Sequence, residues 1–279
     1  MEIEPASLFA TLGHSQRLAI FRLLMRRYPD RLAAGEIAQV LDLRASTLSV
    51  YLSALREAGL IRQQRQGTSL LYSADVEAAG DLLTYVLADC CRNRPAQCLP
   101  GLLHAPGEHP VTNRKYRVLF ICTGNSARSI FAETLLRDLA GDRFEACSAG
   151  TQPRSELNPQ AVALLEAKGH DVSGLRAKHV SEFQGEGAPV LDFVFTVCDR
   201  AANEDCPPWP GQPISAHWGQ PDPVKATGTE AERKLAFQQA YGALRNRIAL
   251  FTALPLDSLD RLSLQARVDE IAHLKEESA

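Results

Sequence analysis

The sequence predicts two fold classes in one chain: an N-terminal all-α domain built as a winged helix-turn-helix, then an α/β domain whose parallel sheet is flanked by helices. Three observations predict this. Helical apolar spacing dominates roughly the first third, the aperiodic stretch LPGLLHAPGEHPVTNR (99–114) interrupts it, and short apolar strands then alternate with helical patterns. The predicted organisation is therefore residues 1–98, a linker at 99–114, an α/β domain at 115–254 and a helical extension at 255–279.

In the first domain LFATLGHSQRLAIFRLLMRR carries Leu18, Phe21, Leu24 and Met25 at helical spacing, and AGEIAQVLDL adds a short helix. STLSVYLSALREAGL follows, with Ser46 expected as N-cap, Leu48, Leu52 and Leu55 on one face and Gly59 as terminator. Thr47, Ser49, Val50, Tyr51 and Ser53 then point away from the core, a small hydrogen-bonding face suited to a major groove. IRQQRQGTSLLYS is a hairpin with Gly67 in its turn, which offers Arg62 and Arg65 to phosphates. Between Arg44 and Gln66 stand four arginines and one acid, a local basic patch in a chain of net charge -3. Operator DNA is the expected partner.

In the second domain the order is strand YRVLFIC, helix SIFAETLLRDLAG, strand FEACSAG, helix NPQAVALLEAKGH, strand LDFVFTVC and a long helix from about residue 229 to 254. Between the first strand and helix lies Cys-x5-Arg: Cys122, Thr123, Gly124, Asn125, Ser126, Ala127 and Arg128, then Ser129. Loop amides and a helix N-terminus form an anion cradle, and Arg128 can grip a tetrahedral oxyanion bidentately. The same field is expected to lower the Cys122 pKa and make it a nucleophile, with Ser129 hydrogen-bonding the sulfur.

No apolar run reaches the roughly 18 residues of a membrane span, and MEIEPASLFATLG has neither the basic region nor the long apolar stretch of a secretory signal. A cytoplasmic protein is expected, with no membrane partner. Seven cysteines (90, 91, 98, 122, 147, 198 and 206) then point to catalysis, redox exchange or soft-ion binding rather than a disulfide framework. Cys90, Cys91 and Cys98 suit a thiophilic ion such as trivalent arsenic; zinc ligation and plain burial are the alternatives. Cys147 is expected in a strand core, and His217 in loop packing, with a second base as the alternative role.

Residues 6 to 90 resemble the arsenical-resistance repressor (ArsR) family of winged-helix regulators. The resemblance implies a homodimer through this domain that leaves its operator on binding a metalloid, with arsenite as inducer. The family's common Cys-x-Cys sensor is replaced by Ala33 and Gly35, so Cys90, Cys91 and Cys98 take its place as candidates. Residues 116 to 254 resemble the low-molecular-weight tyrosine phosphatase fold, which contains phosphatases and arsenate reductases. FTVCDRAANEDCPPWPG, with Cys198 and Cys206, and SAHWGQPDP resemble the thioredoxin-coupled reductases. By that resemblance Cys122 attacks arsenate, Asp222 is general acid, and Cys198 then Cys206 relay the oxidation to a disulfide for thioredoxin. Asn125 and Glu133 match positions that help bind potassium in some relatives, while other ligand positions match poorly; no tightly bound cofactor is expected. The alternative is a DNA-tethered phosphatase using Cys122, Arg128 and Asp222 alone.

Overall fold

A computed structural model describes residues 5–92, 114–185, 187–204, 209, 213–259 and 261–273. The chain divides into two compact units, 1–111 and 112–279.

The first unit runs α1 (Pro5–Leu12), α2 (Ser15–Arg26), β1 (Leu32–Ala33), α3 (Ala34–Val40), α4 (Ala45–Glu57), β2 (Ile61–Gln66), β3 (Ser69–Ala74) and α5 (Val76–Tyr85). Leu48, Leu52 and Leu55, one helical face of α4, are buried with Ile20, Leu23, Leu24 and Ile37, so the 3.6-residue period did set the core. α4 starts earlier than expected. Arg44, not Ser46, is its N-cap: Arg44 is extended and its carbonyl takes the Leu48 N–H at 2.9 Å, while Ser46 lies in the first turn and accepts Ser49 Oγ at 2.8 Å. Gly59, at φ 72°, supplies the left-handed residue that ends the helix. β2 and β3 form the antiparallel wing, paired from Ile61 with Ala74 to Gln66 with Ser69, and β1 adds to the far edge of β3.

The second unit runs β4 (Tyr116–Cys122), α6 (Arg128–Ala140), β5 (Phe144–Gly150), α7 (Pro159–Ala167), β6 (Phe193–Thr196), α8 (Asp199–Asn203), β7 (Ile214–His217), α9 (Glu230–Thr252) and α10 (Arg261–His273). The four strands are parallel in the order β5-β4-β6-β7. β4 and β6 are apolar and mostly buried, as strands covered on both faces must be. β4 therefore sits where the strand order reverses. In such sheets the crevice beyond the carboxyl ends at that point is the natural ligand site.

Two short elements escaped the sequence reading: β7, inside a stretch read as loop, and α8, directly after Cys198. The C-terminal segment is also no appendage. Leu264, Val268 and Ile271 of α10 belong to the same buried core as the sheet. Gln265 places its side-chain amide on the backbone of β7, donating to the Ser215 carbonyl at 2.7 Å and accepting the Ser215 N–H at 3.4 Å. The helix thus covers the sheet edge that β7 would otherwise leave open. Among the described residues no helix is long and apolar enough to cross a membrane.

Candidate active site and DNA-binding face

β4 ends at Cys122, and the chain turns through Thr123, Gly124, Asn125, Ser126 and Ala127 before α6 begins at Arg128. The carbonyls of Cys122, Thr123, Gly124 and Ser126 accept the backbone N–H groups of Thr151, Gln152, Arg154 and Asn158 at 3.1, 2.9, 2.9 and 2.9 Å. A loop whose carbonyls are tied outward turns its N–H groups inward. The Asn125 N–H accordingly donates to Cys122 Sγ at 3.1 Å. Asn125 is buried and left-handed, at φ 43°. β5 approaches so closely that a Cβ on Gly150 would stand 2.6 Å from the Thr123 carbonyl, which restricts that position to glycine.

Cys122 Sγ lies 3.0 Å from Ser129 Oγ. Burial pushes its thiol up and the neighbouring Cys198 adds to this, against the opposing pull of Ser129, Arg128 and the Asn125 N–H. The expectation of a lowered pKa is therefore corrected: desolvation outweighs the loop's field. Arg128, the cation of the loop, is turned to other partners, with Nη2 3.0 Å from Asp222 Oδ2 and Nη1 donating to the Gln220 carbonyl at 2.8 Å. Asp222 is thereby brought to the rim of the cradle.

The Val197 N–H bonds the Ile121 carbonyl at 2.8 Å, so β4 and β6 end side by side. Cys198 follows, buried, as N-cap of α8, with Sγ 3.5 Å from Thr123 Oγ1. A second thiol thus stands against the first residue of the loop. Cys206 lies outside the described residues. His217 is more than loop packing: at the end of β7 and buried, its Nδ1 meets Thr196 Oγ1 at 2.8 Å and its Nε2 lies 3.3 Å from Asp199 Oδ1, on the helix that Cys198 begins. Cys147 is half-buried in β5, with burial, then Glu133 and Glu145, raising its thiol to about 11.

Beneath the loop the structure adds residues that the sequence did not reveal. Lys178 is buried, its Nζ 3.0 Å from Glu133 Oε2, and its backbone N–H donates to Asn125 Oδ1 at 2.7 Å. Ser148 donates to Glu133 and accepts Asn125 Nδ2 at 2.8 Å. The Asn125 and Glu133 side-chain oxygens are therefore already engaged, and an ammonium group stands beside the carboxylate. The residues present do not fit potassium.

In the first unit α4 exposes Arg44, Ser46, Ser49 and Val50, with Thr47 and Ser53 half-exposed. Tyr51 is more enclosed than expected, its ring 4.9 Å from that of His14. Arg65 remains exposed on the wing, with a local hydrogen bond to the Gly67 carbonyl at 3.2 Å. Arg62 is not simply available to phosphate, because it pairs with Asp75 at 2.6 Å and Glu77 at 2.6 Å. Both acids lie beyond the basic stretch in sequence and fold back onto it. Past α5, Val86–Cys90 forms a π-helical turn; Cys90 is a free, exposed thiol, Cys91 is disulfide-bonded, and Cys98 lies outside the described residues.

A parallel sheet with a thiol, an arginine and an amide-lined loop at its switch point defines a cysteine-dependent oxyanion enzyme, here joined to a winged helix. Residues 117–252 match the low molecular weight phosphotyrosine protein phosphatase family, and residues 12–64 match a helix-turn-helix domain. Arsenate reductase from Shouchella clausii is 37% identical over 136 residues, 48% of this chain and 93% of that protein. The arsenate reductase of Bacillus subtilis is 36% identical over 134 residues, 48% of this chain and 93% of that protein. A solved Corynebacterium glutamicum thioredoxin-dependent arsenate reductase is 22% identical, covers 76% of this chain and 91% of that one, and gives a TM-score of 0.37. The chain belongs to the low molecular weight phosphatase family, among its arsenate reductases, and carries an ArsR-like helix-turn-helix domain in addition.

Proposed function

We propose that this chain is an arsenite-responsive transcriptional repressor fused to a thioredoxin-coupled arsenate reductase. The observation that carries the reductase reading is the second thiol: Cys198 stands against Thr123 of the loop that holds Cys122. A phosphatase releases its phosphocysteine with water and has no use for it.

Cys122, as thiolate, attacks the arsenic of arsenate, and one oxygen leaves as water with a proton from Asp222. The loop amides and Arg128 hold the remaining oxygens. Cys198 then attacks Cys122; a disulfide forms, the arsenic–sulfur bond breaks toward arsenic, and arsenite departs with the electron pair. Cys206 attacks Cys198, freeing Cys122, and the dithiol of thioredoxin reduces the Cys198–Cys206 disulfide. The balance is arsenate and two thiols to arsenite, a disulfide and water.

The regulator reading rests on α4 and Arg65 as a DNA face. Arg62 contributes only by exchanging its carboxylate partners for phosphate. Homodimerisation is supported by apolar residues left exposed on the adjacent helices α1 and α5, namely Phe9, Val76 and Leu83. The enzyme's product is the inducer, held by Cys90, Cys91 and Cys98, with loss of three water molecules as three sulfur bonds form. Cys91 must first be reduced.

Following NADPH oxidation with arsenate, thioredoxin and thioredoxin reductase tests the enzyme. Activity abolished by Cys122→Ser, Cys198→Ser and Cys206→Ser supports the relay. Phosphoester hydrolysis that survives Cys198→Ser, without arsenate reduction in the parent chain, means the phosphatase alternative. Operator binding unchanged by arsenite would sink the regulatory reading.

A further inference from the structure

The polar residues under the loop form one continuous chain. Lys178 Nζ meets Glu133 at 3.0 Å, the Ser148 hydroxyl donates to the same carboxylate, and Asn125 Nδ2 donates to Ser148 Oγ at 2.8 Å and Ser129 Oγ at 2.9 Å. Ser129 Oγ then stands 3.0 Å from Cys122 Sγ. Lys178 acts twice. Its backbone N–H, on Asn125 Oδ1 at 2.7 Å, fixes which way that amide faces. Its ammonium, also within 3.4 Å of the Arg176 carbonyl, is ion-paired with the buried Glu133, and the carboxylate of that pair can only accept. Each hydrogen in the chain is then assigned. Asn125 spends both amide hydrogens on the two serines, so Ser129 accepts from Asn125 and has its single hydrogen left for the sulfur.

We propose that the Lys178 ammonium is the built-in cation of this loop: by pairing with Glu133 it fixes the chain that makes Ser129 a donor to Cys122, and the enzyme needs no free monovalent cation. Lys178 and Glu133 are positioning residues, since neither touches the reacting atoms. The inference rests on Cys122 as the reactive thiol but not on arsenate as its substrate. Its test can therefore be read without turnover.

The rate of Cys122 alkylation by iodoacetamide, resolved by peptide mass spectrometry, is measured against pH in potassium, ammonium and tetramethylammonium buffers, with thermal melts alongside. The wild-type profile is expected to be the same in all three. Lys178→Ala leaves the Glu133 carboxylate buried without its cationic partner and is expected to alkylate about tenfold more slowly near neutral pH, the size of one lost hydrogen bond to a charged group. Potassium or ammonium should restore the rate, and tetramethylammonium should not. Stimulation of the wild type by potassium would overturn the proposal, as would a Lys178→Ala profile equal to wild type or one that stays slow in every cation. Should that variant fail to fold, Lys178→Met combined with Glu133→Gln removes both charges together. Slow alkylation indifferent to potassium is expected there, and a wild-type rate would again overturn the proposal.

Discussion

At the scale of single residues, burial and pairing decide what the reactive groups do. Burial pushes the Cys122 thiol up, so in the free enzyme the protonated form gains ground at neutral pH and the thiolate appears as pH rises. Cys122 alkylation should therefore climb through the alkaline range, and a flat profile down to weakly acidic pH would contradict this. Arg128 is held by Asp222 at 3.0 Å, so Asp222→Asn removes the proposed proton donor and loosens the arginine together. If Asp222 is the general acid proposed above, a kcat loss of about a hundredfold or more is expected, with oxyanion affinity unchanged or tighter. Cys147, raised to about 11, stays a thiol at neutral pH, and Cys147→Ala should leave turnover as it was. The Cys-x5-Arg loop was legible because consecutive residues build it. Lys178 was not, because its partners Glu133 and Asn125 are 45 and 53 residues away and no local pattern announces a buried ion pair.

At the scale of elements, long periodic segments were legible and short ones were not. α4, α6 and α9 each carry a face or a length that tertiary context cannot hide. β7, four residues between polar and proline-rich stretches, is a strand only because it pairs with β6 from Phe193 with Ile214 to Thr196 with His217. The wing shows the same limit. Asp75 caps α5 through the Ala78 N–H at 3.2 Å and pairs with Arg62 of β2, so helix start and wing charge are coupled. Burial works against ionisation of Asp75, but Arg62 and the Ala78 N–H together hold its carboxyl below the usual range. Its contribution to stability is thus present above the unfolded-state pKa and lost as pH falls through the lower folded value. Asp75→Ala should cost about 1 kcal/mol as a lost N-cap, measurable in the melt of this unit. It should also free Arg62 and raise operator affinity; weaker binding by a folded variant would show that Arg62 serves DNA only when paired.

At the scale of the whole molecule the two units have separate cores, and the linker expected at 99–114 lies outside the described residues except for Arg114. The second unit runs on past residue 254, because the amphipathic tail completes the core through Leu264, Val268 and Ile271. Three buried aliphatic side chains at roughly 1.5 to 3 kcal/mol each are a large part of a domain's stability. Truncation after residue 259 should lower the melting temperature of the second unit sharply and leave operator binding in place; an unchanged melt would mean that α10 is dispensable. The four outward-tied carbonyls of the active-site loop carry a different consequence. A cradle whose backbone is fixed before any anion arrives sorts its guests by geometry and charge, and phosphate shares both with arsenate. Admission is therefore no source of fidelity here. What separates the two anions is whether the central atom can accept an electron pair from sulfur, which arsenic does and phosphorus does not. Phosphate should accordingly occupy the site as a rival, raising the apparent KM for arsenate and leaving kcat untouched.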